Sequence, residues 1–242
     1  MMDWRDEGAV LSMRPHGESA AIIEVFTRGH GRHAGVVRGG ASRRMVPHLQ
    51  PGTQVAVAWS ARLSEHLGAF TVEPVRSRAH LLADRLALAG LASVCALLSV
   101  TLPERDPHEA LWLATGALLD RLGAPGWQAE YLRWEMLLLE ELGFGLDLTA
   151  CAVTGTRQGL AYVSPKTGRA VSRVGAGDWA GKLFPLPEGM TGGPMTPAAL
   201  LQGLAITSHF LARDLAEEHH GRPLPEARGR LLDLLARAAE AP

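Results

Sequence analysis

Thr53-Gln-Val-Ala-Val-Ala-Trp-Ser60 places Val55, Val57 and Trp59 on one face and small or polar residues on the other. That period of two is the mark of a strand with one buried side. Similar runs flank it. Gly8-Ala-Val-Leu-Ser-Met13, Ser19-Ala-Ala-Ile-Ile-Glu-Val-Phe-Thr27 and the short Gly35-Val-Val-Arg38 come before, and Gly68-Ala-Phe-Thr-Val-Glu-Pro-Val75 follows. Turn residues separate them: Pro15-His16-Gly17, Arg28 to Gly31, Gly39-Gly40, Pro51-Gly52 and His66-Leu67-Gly68. Five short strands within residues 1–79 predict a small closed β-barrel.

The same region is unusual in charge. From Val25 to Ser64 the chain carries Arg28, Arg32, Arg38, Arg43, Arg44 and Arg62 and no Asp or Glu, although the whole protein has a formal charge of −1. One positive face on a nearly neutral molecule is the footprint of a surface that meets phosphates. Of the 24 basic residues only Lys166 and Lys182 are lysine, and guanidinium groups fork onto phosphate oxygens where an ammonium is a point charge. The strand count matches the oligonucleotide-binding (OB) barrel, so Arg28, Arg32, Arg38, Arg43 and Arg44 are the candidate nucleic-acid contacts. Aromatic candidates for base stacking are sparse. They are Phe26, Trp59 and Phe70, and alternation assigns Trp59 to the core, so phosphate contact should dominate. His30, His33 and His48 lack metal-ligand spacing and are expected to add positive charge to this face below neutrality.

After about Arg78 the period becomes helical. Apolar residues recur from His80 to Leu102, then from about Pro107 to Leu122, and from Trp127 to Leu142. Thr196-Pro197 opens a helix to about His220 with Thr196 as N-cap, and Pro225 to Glu240 makes another. Residues 80–145 and 195–242 thus form a helical bundle, interrupted by a non-helical insert at 146–194. The fold class is α+β and multi-domain. Within the insert, Cys151-Ala-Val-Thr154-Gly, then Leu160 to Ser164, then Pro165 to Ser172 has the rhythm of a zinc ribbon. A ribbon needs four soft ligands. Here Cys151 faces Thr154, and Ser172 and Gly175 stand where the second pair belongs, so no metal is expected.

Hydrophobic content of 47% with 20% charged residues describes a folded globular chain. The stretch Leu86 to Leu102 is broken by Gly90, Ser93 and Ser99 and reads as a buried helix rather than a membrane span. No secretory signal or membrane association is expected, and two cysteines form no disulfide framework, so a cytoplasmic location is expected. Trp112, Trp127 and Trp134 recur among leucines and read as core. No nucleophile elbow, phosphate loop or His-Glu-x-x-His motif is present. The chain is therefore read as no enzyme, with no cofactor.

These residues resemble the bacterial RecO family of recombination mediators. The resemblance is carried by Trp4-x-x-x-Gly8-x-Val10-Leu11 with Gly17-Glu18-Ser19, by Phe26-Thr27-x-x-x-Gly31, by Val37-Arg38-Gly39 and Leu49-Gln50-Pro51, and by Gly143-Phe-Gly-Leu-Asp-Leu148 ahead of Cys151-Ala-Val-Thr-Gly155. It covers most of the chain and departs from four-cysteine members at the ribbon. It implies a cytoplasmic protein of DNA repair and recombination that binds single- and double-stranded DNA and anneals complementary strands. It also implies association with RecR, contact with the acidic tail of the single-stranded DNA-binding protein, and indirect service to RecA. Arg213, Arg222, Arg228 and Arg230 are the candidates for a basic rim around a groove for that tail. Arg121, Arg133, Arg169 and Arg173 are candidates for extending the DNA track. Two other readings stay open: a protein-interaction adaptor with little DNA binding, and an enzyme with an unrecognised site in the insert near Lys166, Arg169 and Asp178.

Overall fold

The first strand does more than the sequence suggests. In the computed structural model, which describes residues 2–217 and 223–240, β1 runs over Met2–His16 rather than starting at Gly8. Its first half pairs antiparallel with β4 (Gln54–Ala61), from Met2 opposite Ala61 to Ala9 opposite Gln54. Its second half pairs with β2 (Ala20–Thr27), from Gly8 opposite Thr27 to His16 opposite Ala20. The register shifts between Val10 and Ser12, and a bulge of this kind bends a strand enough to serve two neighbours. β3 (Gly31–Val37) continues from β2, and β5 (Ala69–Arg76) pairs antiparallel with β4 and parallel with the end of β3. The sheet closes in the order β1-β2-β3-β5-β4. At Gly8 closure is tight: a Cβ there would lie 2.5 Å from the Phe26 carbonyl oxygen, so glycine alone fits.

The alternating stripe Val55, Val57 and Trp59 faces the interior as expected, together with Val10, Ile23, Val25, Val37, Leu49 and Phe70. A 3-10 turn at Ala79–Ala83 then leads to α1 (Arg85–Thr101). The helix starts later than its apolar pattern because the Asp84 carboxylate accepts the Leu86 and Ala87 N–H groups at 2.9 and 3.0 Å, an N-cap. Cys95 on this helix is buried, and burial pushes its thiol up to about 12. α2 (Glu109–Arg121) follows. Its Asp120 receives Arg76 and the buried Arg78, the latter at 2.5 Å, and Arg78 also donates to the Gly52 carbonyl at 2.5 Å. The closed sheet, α1 and α2 form one unit, Met1–Ala124 with Pro225–Arg228, and the rest, Pro125–Leu224 with Gly229–Pro242, forms a second.

In the second unit α3 (Trp127–Glu141) packs on α5 (Pro197–Glu217). Trp127 and Trp134 are buried, as their spacing predicted, and Tyr131 is buried with them, whereas Trp112 on α2 is only half-buried. The Glu135 carboxylate lies fully inside and accepts the Tyr131 hydroxyl at 2.7 Å and the Thr207 hydroxyl at 2.5 Å, which is how a buried carboxylate is tolerated. Thr196 caps α5 through the Ala199 N–H at 3.1 Å; the predicted last residues of this helix, to His220, lie outside the described residues. Between α3 and α5 the insert holds β6 (Leu160–Val163), β7 (Ala170–Ser172), the single turn α4 (Arg173–Ala176) and β8 (Phe184–Pro185), in sheet order β7-β6-β8. α6 (Glu226–Glu240) ends the described chain. Among the described residues no helix is long and apolar enough to cross a membrane.

Replacing Asp120 by Ala would leave the buried Arg78 guanidinium without its carboxylate. The expected loss of unfolding free energy is about 2 kcal/mol or more, measured by chemical denaturation. Burial alone would raise the Asp120 carboxyl, but Arg76 and Arg78 hold it below the usual carboxylate value. The contribution is therefore complete above the ordinary carboxylate range and fades as pH falls below it.

Candidate nucleic-acid interface

The arginines of the acid-free window divide into two groups once folded. Arg28 and Arg32 flank the β2–β3 turn. Arg32 is half-buried: it donates Nε to the Leu102 carbonyl at 2.9 Å and Nη1 to Glu24 at 2.7 Å, with Glu104 at 3.7 Å. Glu24 also accepts the Ser12 and Ser99 hydroxyls, both at 2.9 Å. Arg28 is exposed, pairs with Glu109 and lies 6.0 Å from the Trp112 ring centroid. Asp6 ties down the same turn through the Gly29 N–H at 2.8 Å and His30 Nδ1 at 2.9 Å. Burial works against the Asp6 charge, but these hydrogen bonds and the Glu7 N–H hold its carboxyl below the usual value. Acids from outside the window thus neutralise this part of it.

The other group stands clear of acids. Arg38, Arg43 and Arg44 are exposed, and among the described residues none makes a hydrogen bond or ion pair. Strand register fixes where they are. Ala21 pairs with Val37, so the exit of β3 lies beside the β1–β2 turn, and the Ala41 N–H donates to the Ser19 carbonyl at 3.0 Å. The Val36 N–H donates to the Gly68 carbonyl at 3.1 Å, bringing up the end of the β4–β5 loop. Arg14 and His16, both exposed, join from the end of β1, with Glu18 the acid at that turn. Arg14 and His16 precede the acid-free window; the hairpin pattern around Gly17 was the signal that could have placed them.

Phe26, Trp59 and Phe70 are all buried, so none offers a face to a base. Trp4 is half-buried and its ring is stacked on His30, with centroids 4.0 Å apart. The expectation that His33 adds charge to the surface is overturned. It is 4% exposed, on an inward position of β3, edge-on to Trp4 and Trp59. Desolvation, then the charges of Arg105 and His30, lower its pKa to about 4. Arg105 comes from outside the window; it is exposed, adopts a left-handed backbone at φ 66° and donates to the His66 carbonyl at 3.2 Å.

In the insert, Cys151, Thr154, Ser172 and Gly175 converge. Cys151 Sγ accepts the Ser172 N–H at 3.1 Å and the Thr154 N–H at 3.4 Å, the Thr154 and Ser172 hydroxyls are 3.4 Å apart, and a Cβ on Gly175 would lie 2.9 Å from Sγ. Desolvation opposes the thiolate, but the donors from Ser172 and Thr154 outweigh it and draw the thiol down to about 6. One thiol, two hydroxyls and a glycine do not make a zinc site. Of the rim candidates, Arg213 donates to the Lys166 carbonyl at 3.0 Å and lies 4.9 Å from the Phe210 ring centroid. Arg228 is 1% exposed, Arg230 is exposed, and Arg222 lies outside the described residues. A guanidinium as buried as Arg228 offers nothing to a peptide at a rim. Lys166 and Arg169 lie on an exposed turn where Arg169 pairs with Asp147 at 3.4 Å.

A closed sheet with free arginines on one set of loops, joined to a helical unit with a small sheet insert, has clear relatives. Residues 1–78 match the family described as recombination protein O N terminal, and residues 82–223 match recombination protein O C terminal. A protein of Cereibacter sphaeroides named DNA repair protein RecO is 68% identical over 239 residues, covering 98% of this chain and all of that one. Proteins of the same name from a Ruegeria species and from Dinoroseobacter shibae are 59% and 55% identical, each over 98% of this chain and 99% and 100% of their own length. The chain belongs to the RecO family of DNA repair proteins.

His33 yields a test of the interior. An imidazole whose pKa falls from 6.5 to about 4 on folding costs the native state nothing above pH 6.5 and destabilises it increasingly as pH drops toward 4, because only the unfolded chain takes up the proton. The melting temperature of wild type should therefore fall more steeply across that interval than that of His33→Leu. Parallel curves would remove His33 from the acid response.

Proposed function

We propose that this chain is a non-catalytic recombination mediator that binds single- and double-stranded DNA and anneals complementary strands in the cytoplasm. In this reading residues 1–79 are the nucleic-acid-binding domain, an OB-type barrel. The closing order of its strands and the parallel pairing of β3 with β5 support that assignment. The observation that carries the proposal is the set Arg38, Arg43 and Arg44, exposed and without acidic partners among the described residues. Charges held without counter-charges attract phosphates at no cost of breaking a protein ion pair. Arg28 reaches the same role by exchanging Glu109 for a phosphate, an easy exchange for an exposed pair. Arg32 contributes by holding the β2–β3 turn, since its guanidinium is already bound on two sides.

Burial of Phe26, Trp59 and Phe70 supports binding by phosphates with weak sequence preference. Arginines that neutralise one strand lower the repulsion a second strand meets, and this is how such a surface favours annealing. The helical unit serves as the docking body for RecR and for the acidic tail of the single-stranded DNA-binding protein. Loading of RecA is then an indirect consequence of bringing these together on DNA. The insert is a ribbon whose turns hold without metal, supported by the convergence of positions 151, 154, 172 and 175.

Fluorescence anisotropy with a mixed-sequence single strand across a salt series tests this reading. Wild type should bind with a steep dependence on salt. Reversing Arg38, Arg43 and Arg44 to Glu should weaken binding and flatten the logarithmic salt slope by about 2, at about 0.7 for each phosphate no longer neutralised. Salt-independent or absent binding by wild type would replace the mediator with a protein-interaction adaptor.

A further inference from the structure

Exposed apolar side chains of the second unit gather on the insert. Val153, Val174 and Trp179 are 67%, 88% and 65% exposed, whereas Trp127 and Trp134 of the same unit are each 3% exposed. Val153 and α4 are in contact, since a Cβ on Gly175 would lie 3.3 Å from Val153 Cβ. Trp179 follows one turn later, in the 3-10 segment Gly177–Lys182, which the chain enters through Gly177 at φ 46°, a conformation suited to glycine. Lys182 places Nζ 4.6 Å from the Trp179 ring centroid. Beneath this surface Cys151, Val171 and Ala176 are buried, with Leu160, Tyr162, Ala180 and Leu183 packed against them. Arg157, Arg173 and Lys182 are exposed around it, with Asp178 the acid on the 173–182 segment.

Apolar groups on adjoining turns, rimmed by cations and anchored from below, mark a contact surface. The rim selects an anion. The side chains select its shape: exposure of this size belongs to groups that project from the surface, whereas the apolar end of a peptide needs a concave pocket to be buried in. A projecting indole with a cation at its face suits a planar base followed by a phosphate. We propose that Trp179, with Lys182 and Arg173 beside it, is a stacking platform for single-stranded nucleic acid. It shares with the proposed function the class of ligand but none of the residues, so the two can fail separately.

The test is anisotropy with labelled oligothymidylate and with a duplex of equal length, for Trp179→Ala, Trp179→Phe and Lys182→Gln in the full chain. Trp179→Ala should weaken single-strand binding about tenfold, leaving duplex affinity, salt slope and melting temperature unchanged. Trp179→Phe should recover most of the loss, since a ring is what stacking requires. Lys182→Gln should lower the single-strand salt slope by about 0.7, the value for one neutralised phosphate. Single-strand affinity of Trp179→Ala equal to wild type would overturn the proposal, even where the Arg38, Arg43 and Arg44 reversal abolishes binding. Equal losses on single strand and duplex would also overturn it, because stacking on unpaired bases predicts a difference. So would loss of binding to a labelled acidic, hydrophobic-ended peptide with oligothymidylate binding intact, which would give the patch to a protein partner.

Discussion

Closure of the sheet depends on one strand pairing twice. β1 lies between β2 and β4 along different halves of its length, and the register shift after Val10 turns it from one neighbour to the other. A sheet closed in this way has no free edge between β1 and its partners, and its inward positions define a single apolar interior. Loop placement follows from the same pairing. The β1–β2 turn must sit beside the exit of β3 because Ala21 pairs with Val37, and this carries the segment that begins at Arg38 beside the turn that Arg14 and His16 lead into.

Electrostatics then divides the closed sheet. Around the β2–β3 turn, arginine is matched by Glu24, Glu104 and Glu109, and the pairs tie the sheet to the segments on either side of α2's start and to the end of α1. Around the exit of β3 no such matching occurs among the described residues. Charge in the first region is largely cancelled at short range, and charge in the second is not. A chain with a formal charge of −1 thus keeps a locally basic surface without the self-repulsion of a strongly basic protein.

Strand number, the inward stripe Val55, Val57 and Trp59, the helical stretches and the Thr196 cap follow from period and turn chemistry, which are local properties; the Asp84 start of α1 was missed because the apolar pattern runs on ahead of it. The acid-free window was equally visible. Its division was not, because Glu24 reaches Arg32 across a strand pair and Glu109 reaches Arg28 from a helix 81 residues away. The same blindness applies to His33. In sequence it sits among arginines and glycines, and only the β3 pleat turns it inward beside Trp4 and Trp59. β1 hid its first half because Asp3, Arg5, Asp6 and Glu7 show no apolar alternation, and the pairing with β4 is what makes them strand. Arg228 was read as a rim residue from its place on the last helix, and burial is a property of the packed helix.

At Cys151 two turns of the insert meet on one sulfur. Small ribbons that depend on a bound ion fold only after the ion arrives, and chelation undoes them. Here backbone N–H groups of Thr154 and Ser172 converge on sulfur, and two hydroxyls occupy the neighbouring corners. The turns of the insert are tied by groups already present in the newly synthesised chain. What draws the two turns together is amide-to-sulfur hydrogen bonding by the chain's own atoms, a weaker and more directional tie than a shared cation.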